Sequence, residues 1–108
     1  MQIEEITVQQ LHSKMENGSE PVIVDVREPH ELKISSIPAI SIPLAELVTR
    51  YEELYDYKND EIVVICRSGS RSAQACFYLQ NKGFGNVKNL RGGINEWARE
   101  IDTSLPTY

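Results

Sequence analysis

Cysteine and histidine are scarce in this sequence: 108 residues include two cysteines, Cys66 and Cys76, and two histidines, His12 and His30. Two cysteines are too few for the disulfide framework that stabilises many small secreted domains, so we expect free thiols in a reducing compartment. The cysteines are ten residues apart and both histidines lie far from them in sequence, which predicts no metal site. We expect both histidines at the surface.

Long apolar runs and dense basic clusters are also absent. No run approaches the length of a membrane span, and residues 1–6 lack the basic and apolar regions of a secretion signal. The isoelectric point near 5.0 and the lack of lysines and arginines interleaved with aromatics disfavour nucleic-acid binding. The sequence therefore predicts a cytoplasmic protein that binds neither membrane nor nucleic acid. Its length and 41% hydrophobic content fit a single domain spanning residues 1–108.

Charge is divided unevenly along the chain, whose net charge is −5. Residues 1–61 carry 5 basic and 13 acidic side chains, whereas residues 62–108 carry 6 basic and 3 acidic side chains. An anionic small molecule or an acidic partner surface would be attracted to the second half of the chain.

Short apolar runs typical of strands alternate with helical patterns, which predicts an α/β fold with a five-stranded, mostly parallel sheet and helices on both faces. The predicted strands are residues 3–6, 22–26, 40–42, 62–65 and 87–90, and the predicted helices are residues 8–15, 44–54, 72–82 and 93–100. Functional groups in such sheets gather at the carboxyl ends of the strands. Cys66 lies at such an end.

Cys66 follows a buried-type strand and precedes a small, polar, glycine-containing turn that leads into a helix. Backbone N–H groups of such a turn and the positive end of the helix point at the residue that leaves the strand. With Arg67 and Arg71 nearby, these surroundings favour the thiolate and make Cys66 a candidate nucleophile. The alternative is a small, inert core residue. Cys76 has the spacing of a core-facing helix position, so we expect a packing role for it.

Four residues separate Cys66 from Arg71, one fewer than in Cys-dependent phosphatases and arsenate reductases. A tighter ring of N–H donors suits one added sulfur atom better than a phosphate. The segment from Cys66 to Ser72 resembles the active-site loop of rhodanese-type sulfurtransferases, and the resemblance extends to residues 25–28 and 90–97. The three motifs occur in the same order as in the family and are spread over most of the chain.

The resemblance implies a rhodanese-like fold and a sulfurtransferase that carries sulfane sulfur as a persulfide. Its catalytic residue would be Cys66, and the substrate-binding residues would be Arg67, Ser68, Gly69, Ser70, Arg71 and Ser72. The donor would be a small anion such as thiosulfate, or a cysteine desulfurase persulfide. The acceptor would be cyanide, a thiol or a ubiquitin-like sulfur-carrier protein. No cofactor and no metal are implied.

Two other functions remain open from the residues. A small phosphatase or arsenate reductase is opposed by the short spacing from Cys66 to Arg71. A non-catalytic protein-interaction module on the same fold is the main alternative, because fold does not determine function.

Two further motifs have structural interpretations. Asp25, Arg27 and Glu28 alternate in charge at a strand exit and are expected to form ion pairs that fix loops around the site. The pair Gly92-Gly93 predicts a tight turn with a close backbone approach, and Trp97 is expected to anchor the last helix.

The resemblance has one gap and one extension. Residues 35–39 replace the family's usual turn and are one residue shorter, so this turn must differ in shape. Residues 101–108 look like the tail of rhodanese domains fused to E1-like adenylyltransferases that activate sulfur carriers in molybdopterin and thiamine-type biosynthesis.

Overall fold

A five-stranded sheet in which every strand pair is parallel forms the centre of the computed structural model, which describes residues 2–108. The strands are β1 (Glu4–Ile6), β2 (Val22–Asp25), β3 (Ile40–Ser41), β4 (Ile62–Ile65) and β5 (Val87–Leu90). The helices are α1 (Val8–Glu16), α2 (Pro29–Leu32), α3 (Leu44–Arg50), α4 (Ser70–Asn81) and α5 (Gly93–Glu100), and a 3-10 helix covers Tyr51–Tyr57.

The strand order is β1-β5-β4-β2-β3, which places β4 at the centre. Val64 of β4 pairs with Val24 on one side and with Asn89 on the other. Because all strands run in the same direction, their carboxyl ends share one edge of the sheet. Cys66 therefore emerges at the middle of that edge, between the segments that follow β2 and β5.

Helices cover both faces of the sheet, as predicted. Successive side chains of a strand point to opposite faces, so an apolar strand such as β4 needs a covering helix on each face. On one face, Ile62 and Val64 belong to a core closed by α3 and α4. On the other face, Val63 and Ile65 belong to a core closed by α1 and α5. Trp97 of α5 lies in the second core and is only 5% exposed, so it anchors this helix as expected.

Helix bounds differ most from the sequence-based prediction after α3, and α4 also begins two residues earlier than predicted, at Ser70. The helix predicted over residues 44–54 ends at Arg50 and continues as a 3-10 helix to Tyr57. A 3-10 helix has three residues per turn, so Tyr51, Leu54 and Tyr57 fall on one side and all contact the α3–α4 core.

Helix α2 was not predicted at all. It is a single turn with Pro29 in its first turn, and the carboxylate of Glu31 accepts a hydrogen bond of 2.9 Å from the backbone N–H of Glu28. Such a reciprocal cap satisfies a helix end that would otherwise lack a partner. The turn brings Glu31 back toward the sheet edge that carries Cys66.

Among residues 2–108, no helix combines the length and the apolar character that crossing a membrane requires.

Candidate functional site

The Cys66 sulfur lies at the bottom of a tight turn between β4 and α4. Its side chain is 1% exposed. Sγ accepts hydrogen bonds from the backbone N–H of Gly69, at 3.1 Å, and of Ser72, at 3.4 Å, and it lies 3.2 Å from the Ser72 hydroxyl. Gly69 has a φ of 113° and precedes the first turn of α4, which lets the chain reverse within three residues. The turn thus points several donors at one sulfur atom.

These donors lower the pKa of the Cys66 thiol. Burial by itself raises that pKa, but the Ser72 hydroxyl and the backbone N–H groups of Ser72, Gly69 and Ser68 favour the thiolate and outweigh the burial. Cys76, ten residues after Cys66 and within α4, has no such donors, and its burial raises its pKa to about 12. It is fully buried in the α3–α4 core, as the packing interpretation predicted. The surroundings therefore favour the thiolate at Cys66 and the neutral thiol at Cys76.

Ser72 lies inside α4 and does not cap it. The helix begins at Ser70 and its cap is Gly69, two residues earlier than the sequence pattern indicated. The buried hydroxyl of Ser72 hydrogen bonds to the side-chain carbonyl of Asn89 on β5, and the Asn89 amide donates to the backbone carbonyl of Gly69 at 3.0 Å. Asn89 thus links the strand to the turn that surrounds Cys66.

The first residues of α5 support the Cys66 turn from behind. The N–H groups of Ile94 and Asn95 donate to the carbonyls of Cys66 and Arg67, at 2.9 and 3.2 Å. Gly93 makes this approach feasible, because a Cβ atom on it would lie 2.5 Å from both carbonyl oxygens. Its φ of 62° also belongs to the left-handed region. This close approach agrees with the interpretation of the glycine pair from sequence.

Replacing Gly93 with alanine is expected to distort the turn around Cys66. We expect the Gly93→Ala variant to lose about 2–3 kcal/mol of stability, from backbone strain and from the clash with two carbonyls, and to react more slowly at Cys66 with iodoacetamide. Gly18→Ala is the matched control, because Gly18 has a φ of 76° but no atom near its missing Cβ. Equal stability and equal alkylation rates for the two variants would contradict the role given to the close approach.

The two arginines of the turn have different surroundings. Arg71 forms a bidentate ion pair with Glu31, with both N–O distances at 2.7 Å. The guanidinium of Arg71, which the resemblance places among the substrate-binding residues, is thus already engaged by a carboxylate. Arg67 is exposed, and its guanidinium lies 5.0 Å from the ring centroid of Tyr108. Ser68 and Ser70 are also exposed at the mouth of the turn.

Arg27 is fully buried beneath this site and holds the segment after β2. Its guanidinium donates to both carboxylate oxygens of Asp25, at 2.8–3.1 Å, and to the backbone carbonyl of Ser35 at 2.7 Å. It also donates to the Tyr108 hydroxyl at 3.0 Å, and that hydroxyl donates to Glu31 at 2.8 Å. The ion pair expected in this motif forms between Asp25 and Arg27, whereas Glu28 is exposed and forms no salt bridge within residues 2–108. The short turn at residues 35–39 is anchored through Ser35.

Glu31 makes the stability of the protein depend on acid pH. Its pKa is lowered to about 2, chiefly by the ion pair with Arg71, and hydrogen bonds from the Glu28 N–H and Tyr108 outweigh the opposing effect of burial. Since the unfolded-state pKa is near 4.5, the stabilisation is complete above that pH and is lost as pH falls toward 2. We expect wild type to lose about 2 kcal/mol more than Glu31→Gln between pH 6 and 3.

Urea unfolding at both pH values measures this difference, and Glu20→Gln is the control because Glu20 is an exposed carboxylate. A wild-type loss no larger than that of Glu31→Gln would show that the ion pair does not contribute to folding.

Four residues of the site were missed by the sequence analysis. They are Glu31, Asn89, Asn95 and Tyr108, and each contacts a partner far away in the chain. Only Asn89 carries a local signal, since it is an amide at an inward position of an otherwise apolar strand end. Among residues 2–108, no group of three or more His, Cys, Asp or Glu side chains could hold a metal ion.

Comparison with known proteins agrees with this geometry. The family model described as "Rhodanese-like domain" matches residues 7–100. The chain is 40% identical over 98 residues to a protein named "Sulfurtransferase" from Allochromatium vinosum, covering 90% of each chain. A solved rhodanese-related protein from Thermoplasma volcanium is 33% identical and superposes with a TM-score of 0.80, covering 91% of this chain and 93% of that one.

Longer relatives also match. The chain is 34% identical over 109 residues to "Adenylyltransferase and sulfurtransferase MOCS3" from Arabidopsis thaliana, covering 87% of this chain and 24% of that protein. This agrees with the resemblance to rhodanese domains that are fused to adenylyltransferases. The chain spans 38% or less of the length of several plant relatives.

Proposed function

The chain belongs to the rhodanese-like domain family, and we propose that it transfers sulfur by carrying one sulfane sulfur atom on Cys66 as a persulfide. The observation that carries this proposal is the set of polar groups around the Cys66 sulfur: two backbone N–H groups and one hydroxyl within 3.4 Å. The two N–H groups are fixed by the backbone and stabilise an anionic sulfur without further reorganisation. Relatives named as sulfurtransferases support sulfur transfer in general.

The proposed reaction has two steps that share one intermediate. The Cys66 thiolate attacks the outer sulfur of a donor such as thiosulfate; a bond forms between the two sulfurs, the S–S bond of thiosulfate breaks, and sulfite leaves with the electron pair. The added sulfur is then the anionic end of a persulfide. A nucleophilic acceptor attacks this outer sulfur, and Cys66 leaves as the thiolate with which the cycle began.

The residues from Arg67 to Ser72 would bind the substrate mainly through their backbone. We assign stabilisation of the persulfide anion to the N–H groups of this segment, including those of Ser68 and Ser70. Arg67 is the exposed cation at the mouth and would attract an anionic donor. Arg71 would act from its ion pair with Glu31, by fixing the start of α4 and by adding positive potential near the sulfur.

Arg67→Met tests the role of the exposed cation. Loss of the charge is expected to raise the thiosulfate KM by about three- to tenfold, with the effect shrinking at high salt, because the attraction is long-range and screened. Arg99→Met is the matched control, since Arg99 is an exposed arginine that pairs with Glu96 near the end of α5. An unchanged KM would remove Arg67 from the binding residues.

Protein partners follow from the longer relatives. Because the chain resembles part of proteins named as adenylyltransferase and sulfurtransferase, we include a ubiquitin-like sulfur-carrier protein among the candidate acceptors. A cysteine desulfurase is the corresponding candidate protein donor.

The decisive experiment measures the intact mass of the wild-type protein after brief incubation with thiosulfate. An increase of about 32 Da, the mass of one sulfur atom, that is removed by dithiothreitol and maps to Cys66 would support the proposal. Inorganic polysulfide serves as a second donor. A persulfide formed with polysulfide but not with thiosulfate would reject thiosulfate as the donor and leave Cys66 as the sulfur carrier. No adduct with either donor, or with a cysteine desulfurase, would reject the carrier and favour a protein-interaction module.

A further inference from the structure

Asn89 is a buried amide that touches the Cys66 site from the neighbouring strand. It belongs to β5, is 4% exposed, and pairs in the sheet with Val64 of β4, two residues before Cys66. Both ends of its amide form hydrogen bonds: the carbonyl oxygen accepts from the Ser72 hydroxyl, and the NH₂ group donates to the backbone carbonyl of Gly69. Asn89 thereby holds two residues that contact the Cys66 sulfur, Ser72 through its hydroxyl and Gly69 through its backbone N–H.

The orientation of the Asn89 amide is fixed by its partners. A backbone carbonyl can only accept, so the NH₂ end must face Gly69 and the carbonyl end must face Ser72. That carbonyl end can only accept as well. The Ser72 hydroxyl therefore directs its single proton at Asn89, and it presents lone pairs to the Cys66 sulfur 3.2 Å away.

The Ser72 proton cannot serve both neighbours at once. While Cys66 is a thiol, its S–H donates to Ser72 Oγ and the hydroxyl donates to Asn89, so each group is satisfied. When the thiol loses its proton to solvent, the sulfur becomes an acceptor, and a hydrogen bond to an anion is stronger than one to a neutral amide. We propose that Asn89 is a positioning residue that holds the Ser72 proton while the Cys66 sulfur is neutral and yields it when the sulfur becomes anionic.

The proposal rests on the proposed role of Cys66 and deepens it. The hydroxyl would turn toward the sulfur whenever Cys66 is a thiolate, before attack and again as the leaving group. It would return to Asn89 when the sulfur is bonded to a second sulfur. Turning away leaves a buried carbonyl without a donor, so Asn89 opposes formation of the thiolate and moderates its reactivity.

Other charged groups near Cys66 act independently of this exchange. Arg71 on α4 favours the thiolate, and its charge is partly balanced by Glu31 of α2. Arg67 is exposed in the turn, and Cys76 is the remaining thiol on α4. None of these groups hydrogen bonds to Asn89 or to the Ser72 hydroxyl. Substitutions at Asn89 and Ser72 therefore test the position of the Ser72 hydroxyl proton without changing these groups.

The test is the pH midpoint of Cys66 alkylation by iodoacetamide, followed by intact mass. Asn89→Leu removes the competing acceptor, so the midpoint is expected to fall by about 0.5–1 pH unit. Ser72→Ala removes the donor to the thiolate, and the midpoint is expected to rise by a similar amount. In the Ser72→Ala background, Asn89→Leu should cause no further shift. The Gly69 carbonyl also accepts a hydrogen bond of 3.2 Å from the Ala73 N–H, so we expect it to stay paired when the Asn89 amide is removed.

A different pattern would overturn the proposal. If Asn89→Leu raised the midpoint, or shifted it equally with and without Ser72, then Asn89 would only hold the turn in shape. If Asn89→Leu did not fold, the S–H stretching band of Cys66 decides: it should lie at higher frequency in Ser72→Ala than in wild type, and an unchanged band rejects the proposal. Neither readout involves sulfur transfer, so failure of the persulfide experiment would reject the proposed function alone.

Discussion

Replacing Cys66 with serine is expected to lower sulfur transfer from thiosulfate to cyanide at least about a thousandfold. The serine hydroxyl stays protonated at neutral pH and is a much weaker nucleophile than a thiolate. The donors that surround the sulfur would still bind an anion, so the loss should appear in kcat and in the persulfide adduct, with little change in stability. Colorimetric detection of thiocyanate measures the rate, and intact mass measures the adduct.

Cys76→Ala is the matched control for this prediction. Cys76 lies in α4, the helix that follows the Cys66 turn, is fully buried, and has a pKa raised to about 12, so it forms almost no thiolate at neutral pH. We expect its removal to leave the transfer rate and the persulfide adduct unchanged. Transfer that survived in Cys66→Ser but was lost in Cys76→Ala would reverse the assignment of the carrier.

Replacing Arg27 with methionine is expected to cost about 3–5 kcal/mol, which is a large part of the stability of a domain of this size. Methionine fills much of the volume but leaves the Asp25 carboxylate buried without its partner, and it leaves the carbonyl of Ser35 without a donor. Urea unfolding at pH 7 measures the loss.

Two further variants separate charge from packing. Adding Asp25→Asn to Arg27→Met removes the unpaired buried charge, so the double variant should be more stable than Arg27→Met alone. Arg50→Met removes an arginine whose ion pairs with Glu46 and Glu53 are exposed, and it should change stability little. A double variant no more stable than Arg27→Met would mean that lost hydrogen bonds, and not the charge of Asp25, dominate the cost.

The sheet, the position of Cys66 and its turn were predictable because the signals are local. An apolar run, a glycine turn and a helical pattern stand next to one another in the sequence, and parallel strands place such turns at one edge. The same local information misled at α4: its start was predicted at Ser72, whereas Gly69 already provides the reversal and the helix begins at Ser70.

Partners from distant segments were not predictable in the same way. The sequence placed Arg71 near Cys66 but did not predict its ion pair, because Glu31 reaches it from 40 residues away through a one-turn helix that no periodicity indicates. Tyr108 meets Arg27 across 81 residues. Such contacts depend on how the whole chain folds back on itself, and a single sequence contains no pattern that pairs them.

The support that α5 gives to the Cys66 turn also sets an order for the maturation of the protein. Synthesis proceeds toward the carboxyl end, so Cys66 and its turn are made before the N–H groups of Ile94 and Asn95 that hold the two carbonyls. We expect the cysteine to behave as an ordinary thiol until the last helix docks. A stalled or truncated chain would then carry Cys66 without the surroundings that favour its thiolate.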